Sequence, residues 1–376
     1  MIGIIFEKGG DDMKRILALV LTMMFCFSLT SCGMLQDEQA FLEKELSSMN
    51  FSGVVRLTKD GRVLCEYVGG TEQPDSKRKI TRDTKFCVGS VSKQFAAASI
   101  MLLKQDGKLN VEDTMDKYFP DYRYGKQLTL KHLLTMRSGI PEFYDVIFID
   151  DAFTEVPVAG LDKTLTNDGT PVQNQKLLEE WLLKQPLDNP PDTVSYYSNS
   201  NYFLLSRVVE LVSGMKYNDF VRERIFKPLQ MTHSGFVDDE DWQHMPNLAK
   251  PSVDTQTVYV GVTRGLGDMI SDAKDMERWL RSLRTYDILT EASVKEMTTN
   301  YSPEDEMEYG YGLMPDKDGS FCHTGSFTTY HALAYSYPKL GIDLFGITND
   351  SADLEGDLNE VCFGLLSRVI KKESAK

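Results

Sequence analysis

The sequence is short of the groups that several kinds of chemistry need. It holds only five histidines, at 132, 233, 244, 323 and 331, and no two have the i, i+4 spacing of a helical metal site. Its six cysteines include no C-x-x-C pair, which sets aside zinc ribbons and thioredoxin-like redox motifs. No G-x-S-x-G occurs, so the nucleophile elbow of the α/β-hydrolases is missing. Internal repeats are absent. Basic residues are outnumbered, 41 Lys and Arg against 56 Asp and Glu, for a net charge of −15. Such a surface repels phosphate backbones, and nucleic acid is not an expected partner. What is present suits a folded chain: 41% hydrophobic and 26% charged residues over 376 positions, enough for one large domain with an insertion or for two domains. No motif calls for a cofactor or a metal.

The first thirty-two residues read as an address. Met13-Lys14-Arg15 is a basic start, and Ile16 to Leu29 is an apolar run too short for a comfortable transmembrane helix. It ends in Leu29-Thr30-Ser31-Cys32-Gly33, which resembles the lipobox of bacterial lipoproteins. That resemblance implies cleavage before Cys32, lipidation of Cys32 and an extracytoplasmic chain anchored to a bacterial membrane. An ordinary signal peptide with a chance cysteine is the alternative. Residues 1–12 do not suit a signal peptide. Lys8-Gly9-Gly10-Asp11 can be encoded by a strong ribosome-binding sequence about seven nucleotides before the Met13 codon, so translation is expected to start at Met13. Export permits disulfides; among Cys65, Cys87, Cys322 and Cys362, buried free thiols are the plainer expectation and Cys65–Cys362 the pair to check first.

Residues 33–49 are helical in character. Phe51 to Leu57 and Val63 to Tyr67, joined through Asp60-Gly61, predict a β-hairpin. Ser90 to Lys108 predicts a helix ended by Gly107, and helices are expected over 178–185, 200–213, 216–226 and 273–284, the last capped by Ser271. Residues 146–172 form an excursion without periodicity. Ser320 to Thr324, Thr329 to Tyr337 and Ile342 to Thr348 predict strands, followed by an amphipathic helix from Asp353 to Lys371. The economical fold is α+β: an antiparallel sheet of about five strands built from both chain ends (about 33–90 and 300–376), flanked by helices, with a large mostly helical insertion (about 91–299). It also brings Cys65 towards Cys362.

Three short motifs carry chemistry only together. In Ser90-Val91-Ser92-Lys93, positions i and i+3 share a helix face, so the amine can sit beside the hydroxyl and act as its base once burial lowers its pKa. In Tyr197-Ser198-Asn199, tyrosine can relay a proton and asparagine can bond both the lysine and a substrate amide. In His323-Thr324-Gly325, followed by Ser326, glycine lets a substrate approach the backbone, and the Ser326 and Ser90 amides could form an oxyanion hole. Separately these are a capping serine, a turn asparagine and a strand end.

Their order resembles the serine β-lactamase and penicillin-binding protein superfamily, in the class C β-lactamase and DD-carboxypeptidase branch. The segments 86–95, 128–141 (LTLKHLLTMRSGIP), 197–202, 225–236 and 270–280 are similar as well, so the resemblance runs from about residue 50 to 370. It implies a β-lactamase/transpeptidase-like fold and acyl transfer through a Ser90 acyl-enzyme. Lys93 and Tyr197 share the acid and base roles, Asn199 orients substrate, and His323, Thr324, Gly325 and Ser326 line the site. The implied substrates are a peptidoglycan stem peptide, another D-amino-acid peptide, a small ester or a β-lactam.

Departures from the family pattern shape the expectation. His323 stands where β-lactamases usually carry lysine, which points towards a DD-peptidase or esterase and predicts a pH inflection between roughly 5 and 8 from the imidazole. Met136 and Arg137 replace the usual His and Thr, and Asp268 replaces a glycine. The reading of another class is a non-catalytic lipoprotein that binds cell wall; the intact Ser90, Lys93 and Tyr197 argue against it. Catalysis by Cys87 or Cys322 is disfavoured, since strand alternation turns Cys322 away from His323.

Overall fold

The computed structural model describes residues 36–73, 76–149, 152–153, 171–237, 245–251, 261–305, 307–350 and 355–375. Cys32, the leader and most of the 146–172 excursion lie outside them. A helix α1 over residues 36–48 leads into strands β1 (Gly53–Lys59) and β2 (Arg62–Gly69), then β3 (Phe86–Cys87) and helix α2 (Lys93–Gln105). Next come α3 (Leu130–Leu134), α4 (Tyr144–Ile147), the small pair β4 (Phe148–Ile149) and β5 (Ala152–Phe153), α5 (Pro171–Leu182), α6 (Asn199–Ser213) and α7 (Tyr217–Val221). Then follow β6 (Gly235–Phe236), β7 (Met269–Ser271), α8 (Ala273–Thr285) and α9 (Glu291–Met297). The chain closes with β8 (Met314–Pro315), β9 (Phe321–Phe327), β10 (Tyr330–Tyr337), β11 (Ile342–Thr348) and α10 (Glu355–Ser374).

The main sheet has six strands in the order β2-β1-β11-β10-β9-β8, every pair antiparallel. Its first and last parts meet where β1 pairs with β11, Gly53 opposite Thr348 and Lys59 opposite Ile342. The sequence predicts five strands; the sixth, Met314–Pro315, has too few residues to show alternation. Asp60 and Gly61 both take positive φ, 51° and 76°, as a two-residue hairpin turn that follows strand twist requires. Both sheet faces are covered, so β11 is buried along its whole length. On one face α1 and α10 pack Leu42, Leu46, Leu358, Val361 and Leu365 against Val55, Leu57, Leu333 and Leu344. On the other lie α8 and the helical part, with Phe95 of α2 stacked 4.3 Å from Trp279 of α8.

Several local expectations need correction. The cap of α8 is Asp272, whose side chain accepts the Asp275 N–H, while Ser271 ends β7. Ser90 does not open the α-helix; it sits in a 3₁₀ turn, Gly89–Ser92, and the helix starts at Lys93. Residues 216–226 split into α7 and a π-helical turn, Arg222–Phe226, and α5 begins at Pro171, earlier than its apolar spacing suggests. Cys65 and Cys362 share the apolar layer behind the sheet as buried free thiols, the plainer of the two expectations. Burial pushes the Cys65 thiol up to about 12 and raises Cys87 and Cys362 as well, so none of them is a nucleophile at neutral pH. Among the described residues no helix is long and apolar enough to cross a membrane.

Candidate active site

The site forms where the front of the sheet meets the start of α2. The Ser90 turn is tied to β7: Val88 N–H donates to Met269 O at 2.9 Å, and Met269 N–H donates to Ser92 Oγ at 3.1 Å. It is pressed equally closely against β9. A Cβ on Gly325 would lie 2.1 Å from Val88 O and 2.9 Å from Ser90 N, and one on Gly89 would lie 2.7 Å from Ser326 N. No side chain fits at either position, which is why the backbone amides of Ser90 and Ser326 come together. The Ser326 hydroxyl lies 3.0 Å from His331 Nδ1.

Lys93 is wholly buried. Its Nζ lies 2.9 Å from Ser90 Oγ, 2.7 Å from Asn199 Oδ1 and 2.8 Å from Leu266 O. It also sits 4.8 Å from the centroid of the Tyr197 ring. Burial lowers its pKa to about 7, against the opposing charges of Glu142 and Asp268. Tyr197 is hydrogen-bonded to Ser90, but burial raises its pKa well beyond the usual phenol, so it stays protonated at neutral pH.

Asn199 opens α6, and the loop before it is held by Met136 and Arg137, two of the residues that depart from the family pattern. Met136, at φ 60°, accepts the Tyr196 N–H through its carbonyl at 2.9 Å. Arg137 donates to Asp192 Oδ1 at 2.7 Å and also pairs with Asp305. These residues therefore carry the Tyr197 loop. Asp268 accepts the Gly265 N–H at 3.0 Å, closing the turn that presents Leu266 O to Lys93.

The imidazole of His323 stands beside Tyr197, ring centroids 6.2 Å apart, and only 1% of the residue is exposed. Its Nδ1 is 2.5 Å from the Thr324 carbonyl, which can only accept, so Nδ1 carries the hydrogen and Nε2 accepts from Tyr309 Oη at 2.9 Å. Burial, and then the Lys93 charge, lower its pKa to about 3. The expected inflection between pH 5 and 8 therefore does not belong to His323. Lys93, near 7, is the group that titrates there.

The structure thus gathers Ser90, Lys93, Tyr197, Asn199, His323, Thr324, Gly325 and Ser326 in one place. Sequence reasoning passed over Glu142, buried next to Asn199, and Tyr309, the partner of His323; neither lies in a motif, and only tertiary packing brings them in. A separate cluster of Asp83, His233 and Asp272 has its ligand atoms within 4.8 Å of one another. It is already served by a His233–Asp272 hydrogen bond of 2.5 Å and a Lys274–Asp83 ion pair of 2.6 Å.

An antiparallel sheet closed by both chain ends, with a serine–lysine pair against its edge strands, is the arrangement of the serine β-lactamase and penicillin-binding protein superfamily. The chain belongs to the Beta-lactamase family, whose model matches residues 40–358. The provisionally named penicillin-binding protein PbpX of Bacillus subtilis is 27% identical over 345 residues, covering 88% of this chain and 79% of that protein. Among solved structures, the D-amino acid amidase of Ochrobactrum anthropi superposes with a TM-score of 0.71 at 22% identity, covering 90% of this chain and 99% of that one. The octameric penicillin-binding protein homologue of Pyrococcus abyssi gives 0.72 at 24% identity, covering 88% and 77%. At such identities the structural likeness establishes the fold.

Proposed function

We propose that this is an extracytoplasmic serine hydrolase, anchored through Cys32, that works through a Ser90 acyl-enzyme. The reading is of DD-carboxypeptidase or penicillin-binding-protein kind, or of a D-amino-acid peptidase or esterase. One observation carries it. Two of the three partners of Lys93 Nζ, Asn199 Oδ1 and Leu266 O, only accept hydrogen bonds. A neutral amine has two hydrogens and one lone pair. With both hydrogens committed, the lone pair faces the remaining partner, Ser90 Oγ, at 2.9 Å.

The reaction follows from that direction. The Ser90 proton moves to Lys93 as Oγ bonds to the substrate carbonyl carbon, and the resulting oxyanion lies by the Ser90 and Ser326 amides. Tyr197, protonated and beside Ser90, gives its proton to the leaving nitrogen or oxygen as the carbonyl bond to that atom breaks, and Lys93 returns a proton to Tyr197. Water then releases the acid and frees Ser90. His323, neutral, offers no fixed cation to a substrate carboxylate, which favours these readings over an efficient β-lactamase.

Intact-protein mass spectrometry with benzylpenicillin, with Ser90→Ala as control, tests this. A long-lived adduct on the unaltered chain alone is expected. A fleeting adduct with consumption of the drug would make it a β-lactamase. No adduct, with p-nitrophenyl esters and D-amino-acid amides also untouched, would overturn the hydrolase reading.

A further inference from the structure

The direction of the Lys93 lone pair depends on which way the Asn199 carboxamide is turned. With Oδ1 towards Lys93, the amine spends a hydrogen on it; turned over, Nδ2 would face Lys93 and claim the lone pair that Ser90 needs. Oxygen and nitrogen ends are nearly the same shape, so packing alone does not choose between them. Glu142 does. Its carboxylate takes the Asn199 backbone N–H on one oxygen, and on the other the Tyr144 N–H at 2.9 Å and Asn199 Nδ2 at 3.4 Å. Burial raises the Glu142 carboxyl above the usual range, while these N–H groups and the Lys93 charge oppose that and favour the carboxylate. Oxygens that already take N–H groups cannot face an amide oxygen without repulsion. The segment carrying it is itself pinned to α6: Ser200 Oγ donates to Pro141 O at 2.6 Å and accepts the Phe143 N–H at 3.1 Å. Glu142 is 8% exposed, so water does not compete for it.

We propose that Glu142 is a positioning residue that aims the base: it holds Asn199 with Oδ1 on Lys93, and so directs the Lys93 lone pair at Ser90. Its charge acts on the same lysine. The groups facing Lys93 are Glu142 before α4, Asp268 before β7, Tyr197 and Tyr202 at α6, Ser90 on its turn, and Tyr309 with neutral His323 at the sheet edge. Of these only Glu142 and Asp268 bear negative charge and hold the ammonium form up against burial. Two effects of Glu142 can therefore be separated by pH. Its charge sets where Lys93 titrates; its aim sets the rate once Lys93 is neutral.

The inference rests on the hydrolase reading only for its rate arm. Glu142→Gln and Glu142→Asp are compared with the unaltered chain, each checked for folding by circular dichroism. Lys93 is titrated directly by NMR with ¹³C-labelled lysine, its signal assigned by its loss in Lys93→Arg. Acylation by benzylpenicillin or a p-nitrophenyl ester is followed to the alkaline plateau. In Glu142→Gln the Lys93 midpoint is expected to fall by about one unit, and the plateau rate at least roughly ten-fold. Glu142→Asp keeps the charge and is expected to recover most of both. A Glu142→Gln plateau within two-fold of the unaltered chain overturns the aiming role. If no probe acylates the unaltered chain, the hydrolase reading fails; the titration then decides alone, and an unmoved midpoint overturns the inference.

Discussion

His323 shows how far one residue's position in a motif falls short of its state. The motif places it on a strand, as β9 (Phe321–Phe327) does, but its protonation depends on Tyr309 and on burial, neither of which the motif contains. Its lowered pKa has a sign that can be checked. Above the ordinary histidine value both folded and unfolded chains hold neutral imidazole. As pH falls from about 6.5 towards 3 the unfolded chain takes up a proton and the folded chain does not, so stability is lost over that window. His323→Gln, which cannot titrate, is expected to lose roughly 2 kcal/mol less than the unaltered chain between pH 7 and pH 4.5 in urea unfolding. The same variant should keep the activity inflection near pH 7, because that belongs to Lys93. An inflection that vanished with the imidazole would return the titration to His323. Glu142 was hidden for a related reason. A glutamate after a proline in a loop has no signature, and its meaning comes wholly from Asn199, 57 positions away.

At the scale of elements, the Ser90 turn and β9 meet backbone against backbone. Gly325→Ala would force a methyl group to within 2.1 Å of Val88 O, backbone against backbone, where no flexible side chain can yield. Moving β9 back would part the Ser90 and Ser326 amides. Acylation is expected to fall by at least about a hundred-fold, the scale for losing one oxyanion donor, as read by the benzylpenicillin adduct rate. A rate within three-fold of the unaltered chain would show that the two amides do not act together. Strong alternation and turn chemistry made β1, β2, β9, β10 and β11 legible in the sequence. Two-residue strands such as β3, β6 and β8 were not, because they are defined by their partners alone. The cap of α8 was missed by one position, since serine and aspartate stand side by side there and only the backbone decides.

Across the whole molecule, the two ends of the chain depend on each other. α10 buries Leu358, Val361, Leu365, Leu366 and Val369 in the layer it shares with α1, and Arg368 pairs with Glu38 at 2.6 Å. Five such side chains at roughly 1.5–3 kcal/mol each rival the 5–15 kcal/mol by which a domain is stable. A chain cut before residue 355 is therefore expected to lose its near-ultraviolet circular dichroism and its cooperative melting. A sharp melt in the cut chain would mean the sheet stands without α10. This closure was readable from strands at both ends bracketing a helical middle, whereas the interior of that middle was not, because its helices are buried on most sides and α2 shows little amphipathic contrast.

The placement of α1 has a bearing on reach. It lies on the sheet face turned away from Ser90, and Cys32 stands only four positions ahead of residue 36. Four residues span at most about 14 Å when fully drawn out. If Cys32 carries the proposed lipid, that span bounds how far the start of α1 can stand from the bilayer.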